Sequence, residues 1–339
     1  MKNKWLHQID ILRIISCSIV IFSHYNLSFF KFFYLGGVHG VLIFFMISGY
    51  CISKTYKGRN PTEFIILRFK RLLPALFICM LITLLFENFF AFDGYDRLTS
   101  NKISFLNFAC IFNGFILCDP ILHFLKYSPI PDINLIDGAY WSLVVEFRFY
   151  IIFFLIMIFT KNLNYIITTF IFLVFCQLLA NDEMKIFSRQ NDFFLYLPFF
   201  ISGMIYEKFE KFGKKRLFFL FPLALIYILL DVRGTSYTLN YQDMKTYILI
   251  FIVFFIIMNI QLKFYNKYLK ISALLTYPIY LLHQDIGILL NQLLLSSATN
   301  FFVLSIIKMI TVFTLSILVY YMIEKPIQKR TFYFRYFKF

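Results

Sequence analysis

The sequence predicts an all-α polytopic membrane protein with about ten transmembrane helices and both termini in the cytoplasm. Three observations predict it. The chain has 339 residues, of which 60% are hydrophobic and 22% aromatic, with 48 Phe in all. A soluble interior has no room for that much apolar side chain, and the mean hydropathy of +0.74 agrees. Long apolar runs alternate with short polar links, as expected of helices that cross a bilayer core of about 30 Å. The third observation is where the charge lies. The formal net charge is +15. On the topology below, 23 of the 33 Lys and Arg fall on inner segments. The clusters KTYKGRN, RFKR, EKFEKFGKKR and KFYNKYLK all lie there, which is the positive-inside bias of membrane proteins. The basicity therefore needs no nucleic acid partner.

The expected spans are 14–33, 36–53, 72–91, 141–160, 164–180, 193–207, 217–230, 246–262, 271–292 and 301–323. Lys2 and Lys4 before the first run resemble a signal peptide, but no small-residue cleavage site follows, so the run reads as a retained first span. Within it, Arg13 and His24 are eleven residues apart, about three helical turns, so both share one face with about 16 Å between them. His24 is placed well inside this span. In the second span, Gly36 and Gly40 make a small-xxx-small face, and His39 reads as a wet interfacial histidine or, alternatively, as one that binds the acceptor. Ahead of span three, Asn60, Pro61 and Glu63 have the order of an N-cap, a first helical residue and a capping-box partner. Arg68 and Arg71 then share a face at the inner surface, beside Lys70. The stretch 92–140 reads as external loops, within which 98–137 could hold a further re-entrant helix. Of the six Cys, only Cys110 and Cys118 lie where they could pair externally. No Cys or His has metal-ligand spacing, so no metal is expected. With no repeat or appended segment, residues 1–339 read as a single membrane-embedded domain.

Ionisable groups at membrane depth are costly, so each is a functional candidate. His24 is either a packing histidine or a general base, since imidazole titrates near neutral pH. In DGAYWSLVVEFRFY, Ser142, Glu146 and Tyr150 recur at i, i+4 on one helix face. Glu146 either orients a histidine, accepts hydrogen bonds from a sugar hydroxyl, or pairs with a cation such as Arg148 or Lys308. In span nine, Ser272, Thr276, Tyr280, His283, Gly287 and Asn291 form a polar or small stripe, broken mid-span by Pro278. That stripe suits the wall of a polar cavity or interhelical hydrogen bonding. Arg13, Arg68, Lys70 and Arg71 suit either lipid phosphates or a phosphate-binding mouth. No P-loop or GxGxxG occurs.

Six of these stretches together resemble acyltransferase family three, the bacterial integral-membrane O-acyltransferases. They are IDILRIISCSIVIFSH, GVLIFFMISGY at 40–50, RFKRLLPAL at 68–76, WSLVVEFRFY at 141–150, TYPIYLLHQ at 276–284 and EKP at 324–326. They stand in the family's order and cover essentially the whole chain. Two departures are FRF after the glutamate and the histidine of GVHG. The resemblance implies a multi-pass protein of the bacterial cytoplasmic (inner) membrane. It implies transfer of an acyl group, most often acetyl, from cytoplasmic acyl-CoA to a hydroxyl of a cell-surface polysaccharide or lipopolysaccharide O-antigen. The family's arginine–histidine pair maps onto Arg13 and His24, its arginine-rich motif onto Arg68 and Arg71, and its tryptophan–glutamate motif onto Trp141 and Glu146. On that mapping His24 and Glu146 are the catalytic candidates. Arg13, Arg68 and Arg71 hold the acetyl-CoA donor, and Trp141, Ser142, Tyr280 and His283 meet the saccharide. Direct transfer and an acyl-enzyme on His24 both fit. The competing reading is a polytopic transporter or flippase of a glycan precursor, since buried His and Glu also suit proton coupling.

Overall fold

A computed structural model describes residues 7–25, 27, 35–56, 59–90, 137–179, 193–210, 212–233, 244–260, 266–294 and 300–327. The described residues form ten α-helices and no strand. They are α1 (His7–His24), α2 (Gly37–Tyr56), α3 (Pro61–Phe90), α4 (Trp141–Phe159), α5 (Leu163–Leu179), α6 (Phe193–Phe209), α7 (Phe221–Arg233), α8 (Met244–Asn259), α9 (Lys267–Leu294) and α10 (Phe301–Val319). Each expected span overlaps one of them. By length and apolarity, five can cross a membrane: Gly37–Tyr56, Pro61–Glu87, Gly138–Phe159, Lys267–Leu294 and Phe301–Ile327. The stretch 92–136, with Cys110 and Cys118, lies outside the described residues.

Local chemistry explains the helix starts. Asn60 caps α3 by accepting from the Thr62 N–H at 3.1 Å. Glu63, expected to complete a capping box, is exposed and makes no bond back to Asn60. The helix then runs unbroken for 30 residues through Pro74, so the surface helix and the third span are one element. Asn300 caps α10 in the same way, accepting from Phe302.

Residues 1–65 with 145–273 cluster as one compact unit, and 66–144 with 274–339 as a second. In the first unit, α2 packs most extensively on α6 and α1. Two glycines let α2 and α6 cross closely. A Cβ on Gly49 would lie 2.0 Å from the Phe200 carbonyl oxygen, and one on Gly203 would lie 2.0 Å from that of Met46. Neither contact is possible for a larger residue, so the crossing depends on both. Gly40 serves the α1 side, where a Cβ would meet the Ser16 carbonyl oxygen at 2.4 Å. Gly36 does not share that role, since only the His39 ring is near it. Stacked rings fill the space beside the crossing: Phe200 lies 4.1 Å from Phe149 and 4.6 Å from Phe45, centroid to centroid. In the second unit, the Tyr277 hydroxyl on α9 donates to the Leu72 carbonyl on α3 at 2.9 Å.

Candidate active site

The first unit carries the expected histidine and glutamate. Helix α1 ends at His24, which is the helix terminus and exposed. The polar stretch HYNLS that follows favours leaving the helix there. Ser23 accepts from the Gly37 N–H at 2.9 Å, which pins the start of α2 against the end of α1. A Cβ on Gly37 would lie 3.3 Å from His24 Nε2, so a glycine leaves the imidazole room. Arg13, three turns earlier, is half-buried.

Glu146 sits on α4 facing α2. Ser48 donates to its Oε1 at 2.9 Å, and the Tyr150 hydroxyl donates to the same oxygen. Both protons converge on Oε1, and Oε2 accepts from no described residue. The expected Glu146–Tyr150 register is therefore real, and the oriented carboxylate has one oxygen available to a ligand. Glu146 makes no hydrogen bond to His24 and no ion pair with Arg148 or Lys308. Lys308 instead donates to Asn291 at 2.7 Å.

Two other histidines of this unit are structural. His39 is buried rather than wet: Nδ1 accepts from the Gly36 N–H at 2.9 Å, and Nε2 meets Thr246 Oγ1 at 2.9 Å. With Nδ1 accepting, the neutral ring donates from Nε2. His7 and Asp10 pair at 3.2 Å, while His7 Nε2 accepts from the Asn266 N–H ahead of α9. With Nε2 accepting, the neutral ring donates from Nδ1 to Asp10, and its one acceptor nitrogen is occupied.

The second unit gathers the residues expected at the acceptor. The Tyr280 hydroxyl donates to the Ala139 carbonyl at 2.9 Å, which spends its proton, so Ser142 donates to Tyr280 across 2.7 Å. Ser142, one turn before Glu146 on α4, is thereby bonded to α9. His283 is fully buried, and its Nδ1–H donates to the Tyr280 carbonyl at 2.7 Å, making Nε2 the basic nitrogen of the neutral ring. Trp141, the first residue of α4, is half-buried. Asp137 just before it accepts from the Ala139 N–H at 2.7 Å and the Asp285 N–H at 3.2 Å, tying this turn to α9. Burial, and then the Asp285 carboxylate, push the Asp137 carboxyl well above the ordinary carboxylate range, against the pull of those two N–H groups. Of the stripe on α9, Thr276, Tyr280, His283 and Gly287 are buried, whereas Ser272 is exposed. Arg68 is buried at 8% exposure and Arg71 is exposed, so their shared sequence face does not give them one environment.

Sequence reasoning missed Ser48, Asp137, Asp285 and the His7–Asp10 pair. Ser48 had a local signal, as the one serine inside FFMISGY, and Asp137 had the N-cap position before GAYW. Their partners lie 98 and 148 residues away, beyond any periodicity.

The chain was compared with known proteins. The model of the family described as an acyltransferase domain matches residues 6–321. The peptidoglycan O-acetyltransferase OatA of Listeria monocytogenes is 31% identical over 159 residues, covering 44% of this chain and 24% of that protein. The O-acetyl transferase of Shigella phage Sf6 is 31% identical over 157 residues, covering 42% of this chain and 43% of that protein. The chain thus spans less than half the length of either relative. No solved structure matches it.

Proposed function

Because the chain belongs to that acyltransferase family, we propose that it O-acetylates a polysaccharide, drawing the acetyl group from cytoplasmic acetyl-CoA and delivering it to a cell-surface saccharide. The match over residues 6–321 carries this reading. The names of the relatives, O-acetyltransferases, support acetyl as the group and a glycan hydroxyl as the acceptor. We further propose ten crossings of the cytoplasmic membrane with both termini inside, on the strength of the charge distribution.

In the proposed reaction His24 removes the proton from the saccharide hydroxyl as its oxygen attacks the thioester carbonyl carbon. The carbon–sulfur bond then breaks, and the imidazolium of His24 returns its proton to the departing thiolate, leaving an acetyl ester and free CoA. Exposure of His24 at the end of α1 supports this role, since a base must reach its substrate. Glu146, with Oε1 held by Ser48 and Tyr150, offers Oε2 to a neighbouring sugar hydroxyl. The guanidinium groups of Arg13, Arg68 and Arg71 are suited to the donor's phosphates. Trp141, Ser142, Tyr280 and His283 are assigned to the acceptor. An acetyl-imidazole on His24 is the two-step version of the same scheme.

The test uses labelled acetyl-CoA, inner-membrane vesicles and the host's surface glycan. His24→Ala should lower transfer about 10²–10⁴-fold, the usual contribution of a general base. Equal transfer by the wild type and His24→Ala would remove His24 from the chemistry. If neither transfers label but a glycan precursor or a proton gradient moves, the transporter reading replaces this one.

A further inference from the structure

At one end of the first unit, a cavity of about 710 Å³ opens between the end of α2, the α4–α5 turn and the end of α6, and the acyl transfer proposed above makes no use of it. It is open to the surface along most of its extent rather than enclosed. Ser53, Tyr56, Phe159, Lys161, Asn162 and Glu207 line it. Three observations describe its chemistry. Tyr56 is only 3% exposed, yet its hydroxyl has no hydrogen-bond partner among the described residues. A buried hydroxyl left unsatisfied is costly, and a ligand in the cavity would relieve that cost. Glu207 accepts from Ser53 at 2.8 Å but makes no ion pair among the described residues, and neither does Lys161. The nearby Lys54 and Glu210, by contrast, satisfy each other at 3.5 Å. Among the described residues, one anion and one cation without an ion pair therefore line the same cavity.

That balance selects the ligand. A polyanion such as the CoA donor would meet Glu207 and, among the described lining residues, a single lysine. A molecule carrying one phosphate and one ammonium meets an opposite charge for each. Helix α5 begins at the cavity wall, with Asn162 capping it by accepting from the Asn164 N–H at 2.9 Å. Its first turn presents N–H groups and the positive end of the helix dipole beside Lys161. Apolar surface continues from the cavity along α4 and α5, where Leu155, Ile158, Phe159 and Tyr165 are 48%, 56%, 88% and 63% exposed. On the proposed topology this end faces the cytoplasm and that surface faces lipid.

We propose that the cavity holds the headgroup of a zwitterionic phospholipid of the inner leaflet whose ammonium bears N–H groups. The phosphate sits on Lys161 and the first turn of α5, the ammonium on Glu207, and the Tyr56 hydroxyl completes the headgroup's hydrogen bonds. The acyl chains follow the apolar face of α4.

Native mass spectrometry of the purified full chain in detergent tests this, and its readout is independent of acetyl transfer. The probes are phosphatidylethanolamine, phosphatidylglycerol, phosphatidylcholine and soluble glycerophosphoethanolamine. The wild type should retain phosphatidylethanolamine about tenfold more tightly than the other two lipids, the factor expected of one charge-assisted hydrogen-bond set. Lys161→Gln and Glu207→Gln should each abolish that preference, and Tyr56→Phe should weaken it several-fold. Removing an unsatisfied buried hydroxyl does not by itself destabilise a fold, so loss of lipid from Tyr56→Phe cannot be ascribed to unfolding. Equal retention of all three lipids by the wild type, or undiminished preference in the charge variants, would overturn the proposal. Displacement of the lipid by glycerophosphoethanolamine at equal concentration would overturn the lipid as source, and failure to displace it supports the lipid.

Discussion

Glu146 illustrates what a single residue gains from its neighbours. The carboxylate is set by two hydroxyls on one oxygen, one from its own helix and one from α2. Hydrogen bonds to a charged group are worth about 1.5–3 kcal/mol. Ser48→Ala or Tyr150→Phe should therefore lower kcat by roughly tenfold with the KM for acetyl-CoA unchanged, if the carboxylate serves the acceptor. A change confined to the donor KM would move the pair to the other substrate. Asp137 yields a prediction in pH. Its carboxyl titrates well above the ordinary range in the fold, so the folded chain holds a proton that the unfolded chain has released. Stability from this group is present at low pH and declines as pH rises from the unfolded value of 3.8 towards the raised one. The thermal midpoint in detergent should fall over that window, and Asp137→Asn should flatten the dependence.

Among the elements, the crossing of α2 and α6 is the most constrained. A methyl group at Gly49 or Gly203 would run into a backbone carbonyl that cannot turn aside. Overpacking of this kind costs about 1–3 kcal/mol, and more where backbone must move. Gly49→Ala and Gly203→Ala should each lower the yield of monodisperse protein on size exclusion and its melting temperature. Gly138→Ala is the control. A Cβ there would approach the Gln284 side-chain amide at 2.1 Å, but that flexible end can rotate away, so the variant should keep near wild-type stability. Much of the element layer was legible in advance. The apolar runs located all ten helices, and Asn60 with Pro61 marked the start of α3. The C-terminal boundary of α1 was not read in advance, because the apolar run FFKFFYL resumes directly after HYNLS and draws the expected span on to residue 33.

For the molecule as a whole, the charge asymmetry makes a topological prediction. In a background lacking its cysteines, Lys215→Cys should be shielded from a membrane-impermeant maleimide in intact spheroplasts, and Asn300→Cys should react. Labelling in the reverse pattern would invert the orientation and place the donor arginines on the wrong side for acetyl-CoA. By itself the sequence determined that the chain is helical and apolar, because periodicity and composition are local sums. It also named His24 and Glu146 as residues whose cost at membrane depth needs a reason, and the arginines as candidates at the inner surface. Only the tertiary structure decided what those residues touch. It buried His39 against Thr246, bonded Ser142 to Tyr280, and supplied Ser48 and Asp285 from distant helices. The physical reason is that helix pairing depends on which backbones can approach. In this chain that turns on Gly49 and Gly203, 154 residues apart, which no local pattern connects.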